Sequence, residues 1–155
     1  MILCLIVMVL TVLADQATKL LTLKYLTDAS FKLIPEVLHL TYVENRGAAF
    51  GMLADHRWVF IVISTVAIIA LIAYLIIKKP KDKLLCISLA LIAGGGIGNM
   101  IDRIFRGFVV DMIDVTCINF YVFNVADSAV CIGCGLLILY MILDEIRTKR
   151  EKAER

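Results

Sequence analysis

Four runs of aliphatic residues, each about twenty positions long, recur along the chain and are separated by short polar stretches. About twenty apolar residues in a helix cover the hydrocarbon thickness of a bilayer. The runs predict membrane-crossing helices at about 2–23, 58–77, 84–105 and 122–143, the second uncharged from Trp58 to Ile77. Between the first two the period changes from helical to two. Val37-Leu38-His39-Leu40-Thr41-Tyr42-Val43 is rich in β-branched and aromatic residues, with Pro35 ahead of it and Gly47 ending the pattern, so a strand region is expected over about 31–50. A sheet with open edges cannot sit in lipid, which puts it in the headgroup region or against the helices. The stretch 106–121 is ambiguous: Phe108-Val109-Val110 has period two, and a short helix over Met112 to Ile118 fits equally well. The expected fold class is an integral membrane α-helical protein. It has four transmembrane helices, a small extracytoplasmic β-sheet and a short outer loop or helix, in one membrane domain over 1–155.

Composition agrees. Hydrophobic residues make up 61% of the 155 residues and mean hydropathy is +0.92, against about 45–50% apolar residues in soluble domains. The net charge of +2 says little, but its placement says more. The turn 78–83 and the tail 144–155 fall on one side of the membrane and hold nine of the sixteen Lys and Arg. The positive-inside rule makes that side, and both termini, cytoplasmic. Basic residues are not interleaved with aromatics, which argues against nucleic acid. The start Met1–Ala14 lacks a basic n-region and continues at helical spacing into Leu20 and Leu21, so it reads as an uncleaved first crossing. The cysteines, Cys4, Cys86, Cys117, Cys131 and Cys134, are odd in number and four lie in apolar runs. A disulfide framework is not expected, and Cys131-x-x-Cys134 reads as packing residues.

Alternating crossings gather the polar interruptions at one leaflet. Asp15 lies late in the first run, Asn99, Asp102 and Arg103 late in the third, and Asn124 and Asp127 early in the fourth. An ionisable group at the bilayer centre costs about 2.5–3.5 kcal/mol on insertion scales, so such a collection marks a built site. Asp111 and Asp127 are the candidate catalytic pair. Two carboxylates sharing a partly desolvated site split their proton affinities, so one can take a proton from water while the other donates. Taken singly, Asp127 also fits a helix cap behind Asn124, and Asp111 a solvated loop residue. Asp15 and Lys19 stand four apart and can neutralise each other or meet substrate. Asn99 and Arg103 share a helix face, where Arg103 can hold a carbonyl or carboxylate or pair within the cluster through Asp102. Asn45 ends the strand segment with an amide that donates and accepts. No metal is expected, since His39 and His56 lie outside any zinc motif, and no cofactor motif occurs. Ser128 has no nearby His, and a serine–lysine device would need Lys19 to reach it.

These residues also fall in a familiar order. Asp15-Gln16-Ala17-Thr18-Lys19, Asn45-Arg46-Gly47-Ala48-Ala49-Phe50, Gly98-Asn99-Met100-Ile101-Asp102-Arg103, Gly107-Phe108-Val109-Val110-Asp111 and Phe123-Asn124-Val125-Ala126-Asp127 together resemble the lipoprotein signal peptidase family, signal peptidase II. The resemblance implies an aspartyl endopeptidase of the bacterial cytoplasmic membrane. It would remove the signal peptide from diacylglyceryl-modified prolipoproteins, just before the lipidated cysteine. It maps catalysis to Asp111 and Asp127, and support of the site to Asp15, Lys19, Asn45, Gly47, Asn99, Asp102, Arg103 and Asn124. It further implies lipidated prolipoprotein and membrane lipid as partners. The charge placement puts the polar cluster, and so the active site, at the extracytoplasmic face, and no cofactor and a monomer are expected. Two departures concern the outer segment: Asn119-Phe120-Tyr121-Val122 lacks a proline common there, and Met112 stands where an aromatic is usual. The alternative from the residues alone is a small proton-coupled transporter using Asp15, Asp102 and Asp127; a membrane scaffold is a third. Transporters bind near the midplane between repeated halves, and neither feature is present in this pattern.

Overall fold

Each aliphatic run folds as a helix long and apolar enough to cross a membrane: α1 (Ile2–Tyr25), α2 (Arg57–Lys78), α3 (Lys83–Phe105) and α4 (Val125–Ala153). The structure, a computed structural model, describes residues 1–47, 57–118 and 120–153. Leu, Ile and Val cover the outward faces, as in Leu10, Ile63, Val66 and Ile138, all largely exposed and suited to lipid. The centre is α3, which packs against α1, α2 and α4. Asp82 caps its start, its carboxylate accepting from the N–H groups of Leu84 (2.8 Å) and Leu85 (3.2 Å).

Helices α1 and α3 run parallel in one register. Thr11 faces Gly94, Asp15 faces Gly98 and Lys19 reaches Asp102, each pair 83 positions apart. Missing side chains on α3 permit this closeness. A Cβ at Gly98 would overlap the Asp15 carboxylate, and one at Gly95 would overlap the Ala126 carbonyl of α4. Three helices are thereby drawn together at the level of the polar residues. Nearly the same register joins Cys4 to Cys86 in a disulfide with Cα atoms 5.5 Å apart, which corrects the expectation that the cysteines form no disulfide. Alternating crossings already make these two helices parallel, but spacing along the chain does not show which residues of one face which residues of the other. Cys117, Cys131 and Cys134 are free thiols.

At one end of the bundle lies a three-stranded antiparallel sheet in the order β1 (Phe31–Ile34), β2 (Leu38–Asn45), β3 (Val109–Val115). The expected strand region is present as β1 and β2; its last part, Ala48 to Phe50, lies outside the described residues, as do His56 and Asn119. The ambiguous outer stretch is resolved as β3, followed by a 3-10 turn at Thr116–Ile118. Asp111 therefore stands on a strand, not in a loop. Its neighbours Val109, Val110 and Met112 are buried too, so both faces of this stretch are covered and the half-polar alternation of an exposed strand is missing. The fourth helix begins at Val125, three residues later than the hydropathy pattern predicts. Phe123 is held by backbone bonds to Ile113 instead.

Candidate active site

The strand register sets the first carboxylate. Val43 pairs with Asp111 and Asn45 with Val109, so Asn45 and Asp111 are diagonal neighbours on one sheet face. Asn45 Nδ2 donates to Asp111 Oδ2 at 2.9 Å, and Asn124 Nδ2 donates to Asp111 Oδ1 at 2.6 Å. The helix start sets the second carboxylate. Asn124 is the N-cap of α4, with its Oδ1 accepting from the Asp127 N–H (2.9 Å) while Asp127 Oδ2 accepts from the Asn124 N–H (3.2 Å). This reciprocal pair is a capping box, which makes the capping reading of Asp127 correct as far as it goes. Its other oxygen, Oδ1, accepts from Asn99 Nδ2 at 2.7 Å. One residue, Asn124, thus grips both aspartates, one by its side chain and one by its backbone.

Beneath the pair lies a buried charge cluster. Lys19 Nζ lies 2.9 Å from Asp15 Oδ2, 3.1 Å from Asp102 Oδ2 and 2.8 Å from Asn99 Oδ1, which occupies its three donors. Lys19, Asp15 and Asp102 are fully buried. Asp15 is therefore a structural partner that also accepts the Ala126 N–H of the first turn of α4 (3.0 Å), a favourable place for a negative charge. Asp102 accepts the Val110 N–H (3.0 Å) and so ties α3 to the strand residue preceding Asp111. Its cationic partners are Lys19 and Arg106, not Arg103. Arg103 instead donates over 3.5 Å to the carbonyls of Asn99 and Gly47 and stacks on Phe60, 5.4 Å from the ring centre. Gly47 is buried, and its N–H donates to Asn45 Oδ1 at 3.0 Å. All ten expected site residues converge.

Two further participants, Gln16 and Arg106, were not singled out by sequence. Gln16 Nε2 donates to Asp15, Asp102 and the Gly98 carbonyl at 3.1–3.2 Å, and Arg106 Nη1 donates to Gln16 Oε1 (3.3 Å) and Asp102 Oδ1. The spacing of Asp102 and Arg106, four apart on a helix, was the available signal. Ser128 donates to the Asn124 carbonyl, and Lys19 is committed elsewhere, which leaves no serine–lysine device. Among the described residues no three His, Cys, Asp or Glu side chains converge as a metal-ligand set.

Neither Asp111 nor Asp127 forms an ion pair among the described residues. Burial pushes the Asp111 carboxyl up to about 6; the amides of Asn45 and Asn124 oppose the rise and the Asp127 charge adds to it. The sign follows from proton linkage. A carboxyl whose pKa rises on folding favours the fold below its unfolded value, and that contribution is lost as pH climbs through about 6. Infrared spectra of protein labelled with [13C]aspartate should contain a protonated-carboxyl band that fades with a midpoint near pH 6. The band should vanish in Asp111→Asn. A band unchanged by that substitution would contradict the assignment.

With this geometry in view, known proteins give a consistent comparison. The family model described as signal peptidase (SPase) II matches residues 7–143. The lipoprotein signal peptidase of Halalkalibacterium halodurans is 45% identical over 150 residues, covering 95% of this chain and 96% of the relative. That of Caldanaerobacter subterraneus is 49% identical over 140 residues, covering 88% and 94%. A solved bacterial membrane enzyme superposes with a TM-score of 0.84 at 34% identity, covering 92% of this chain and 88% of that one.

Proposed function

Because the chain belongs to the signal peptidase II family, we propose that it is an aspartyl endopeptidase in which Asp111 and Asp127 cleave diacylglyceryl-modified prolipoproteins just before the lipidated cysteine. The observation that carries this reading is the joint grip of Asn124 on both carboxylates. Each aspartate sits at the end of a hydrogen-bonded support, and neither makes an ion pair among the described residues.

In the proposed reaction the ionised carboxylate takes a proton from water as the water oxygen bonds to the scissile carbonyl carbon. The protonated carboxyl donates to the carbonyl oxygen, giving a neutral gem-diol. The carboxyl protonated by water then gives its proton to the peptide nitrogen, and the other carboxylate takes a gem-diol hydroxyl proton, as the C–N bond breaks. The products are the carboxyl end of the signal peptide and the free α-amine of the lipidated cysteine. Asp111 is suited to carrying the shared proton, since burial favours its neutral form. Arg103, held loosely at two carbonyls beside the pair, is suited to orienting a substrate carbonyl.

The lysine-dense turn 78–83 and the tail 144–155 support a cytoplasmic position for the opposite end of the bundle. The site then lies at the extracytoplasmic face, in one membrane domain that works as a monomer. A lipidated substrate can arrive by lateral diffusion with its acyl chains in the bilayer, which avoids about 0.8 kcal/mol per extracted CH₂. Purified protein incubated with diacylglyceryl-modified prolipoprotein should release a signal peptide ending just before the cysteine, and a chelator should leave the rate unchanged. Failure to cleave, or loss of activity to the chelator, would overturn the reading.

A further inference from the structure

We propose that Arg106 and Gln16 are positioning residues for the aspartate pair, acting through Asp102. The inference rests on the aspartyl peptidase reading above. Asp102 has two carboxylate oxygens with divided duties. Oδ2 accepts the Val110 N–H at 3.0 Å and meets Lys19 at 3.1 Å. Val110 immediately precedes Asp111, and Lys19 in turn holds Asn99, whose amide holds Asp127. One oxygen therefore supports both members of the pair, one through the strand and the other through the Lys19–Asn99 relay.

Oδ1 is turned away from this work and is held by Arg106 Nη1 and by Gln16 Nε2 (3.2 Å). Arg106 also donates to Gln16 Oε1 (3.3 Å), so the two side chains brace each other as they hold the carboxylate in plane. A carboxylate pinned at one oxygen cannot rotate the other away from Val110 and Lys19. Arg106 has a second effect, through charge. Asp15, Asp102, Lys19 and Arg106 sum to zero, whereas without Arg106 the cluster carries one negative charge beneath two aspartates. Long-range repulsion then favours the protonated form of Asp111. Among the described residues, the groups facing Asp111 are Asn45 from β2, Asn124 and Asp127 at the start of α4, Lys19 from α1 and Arg103 from α3. None of these is removed by substituting Arg106.

The test compares Arg106→Gln, Arg106→Lys and Gln16→Met with the parental protein for cleavage of diacylglyceryl-modified prolipoprotein across pH. Parental cleavage that depends on Asp111 and Asp127 establishes the underlying reading separately, and its absence would overturn that reading instead. Arg106→Gln should lower kcat by about tenfold or more with KM within about twofold, and move the limb of the pH profile assigned to Asp111 upward. Arg106→Lys, which keeps the charge, should return the limb to its parental position. Gln16→Met removes hydrogen bonds but no charge, so kcat should fall with the limb unmoved. Parental kcat in Arg106→Gln would overturn the proposal. So would a matched loss in the Gln and Lys variants with an unmoved pH limb, which would mark a purely structural role.

Discussion

Asp111→Asn and Asp127→Asn are each expected to lower prolipoprotein cleavage by at least about 10³-fold, the scale of losing an essential acid or base. Neither substitution changes size, and both sites have a definable structural cost. Asp111 accepts from two amide groups, one on each oxygen. An asparagine there offers only one acceptor oxygen, and its NH₂ would face a donor. Asn45 and Asn124 cannot simply flip to help, because their own carbonyl oxygens already accept from the N–H groups of Gly47 and Asp127. One hydrogen bond is lost, about 1 kcal/mol. At Asp127 the logic repeats, since Asn99 Oδ1 is engaged by Lys19 and Asn124. Folding should survive both changes, so melting curves and substrate capture should stay close to parental while turnover collapses. Near-parental cleavage by either variant would remove the paired-carboxylate mechanism.

The largest stability effect is expected at Lys19. Its ammonium group is the common partner of Asp15, Asp102 and Asn99 and is fully buried. Lys19→Met fills similar space but leaves Asp15 without a cation and Asp102 with Arg106 alone. Removing one partner from a buried ion cluster costs about 3–5 kcal/mol, because the remaining charge has neither water nor counter-charge. For a chain of this length that corresponds to a fall in melting temperature of about 10 °C in detergent. Adding Asp15→Asn removes the orphaned charge and should recover much of the melting temperature. Activity should stay low, because Asn99 has still lost the group that orients it towards Asp127. A single Lys19→Met variant melting like the parental protein would contradict this view of the cluster.

Much of this was legible in sequence for physical reasons. Membrane helices must be long and apolar, so α1 to α4 stand out from composition alone. Charged residues in such runs are costly enough to be purposeful, which pointed to Asp15, Asp102 and Asp127. Asn124 followed by Asp127 three residues later has the spacing of a capping box, and the structure contains one. What escaped depends on partners distant in sequence. β3 is a strand because β2 offers it an edge, and burial on both faces leaves no alternation to detect. The Cys4–Cys86 link, 82 residues apart, and the Gln16–Arg106 brace across α1 and α3 both follow from the parallel register of those helices. The glycine run of α3 is local sequence, but which residues of α1 and α4 it faces is not encoded by local patterning.

If Asp111 and Asp127 act as one unit on a single water, removing both should be no worse than removing one. Single-turnover cleavage by Asp111→Asn, by Asp127→Asn and by the double variant, followed down to the uncatalysed background, measures this directly. The prediction is a double variant no slower than the slower single, since either loss already breaks the proton relay. Losses that multiply, each aspartate contributing its own independent factor, would contradict it.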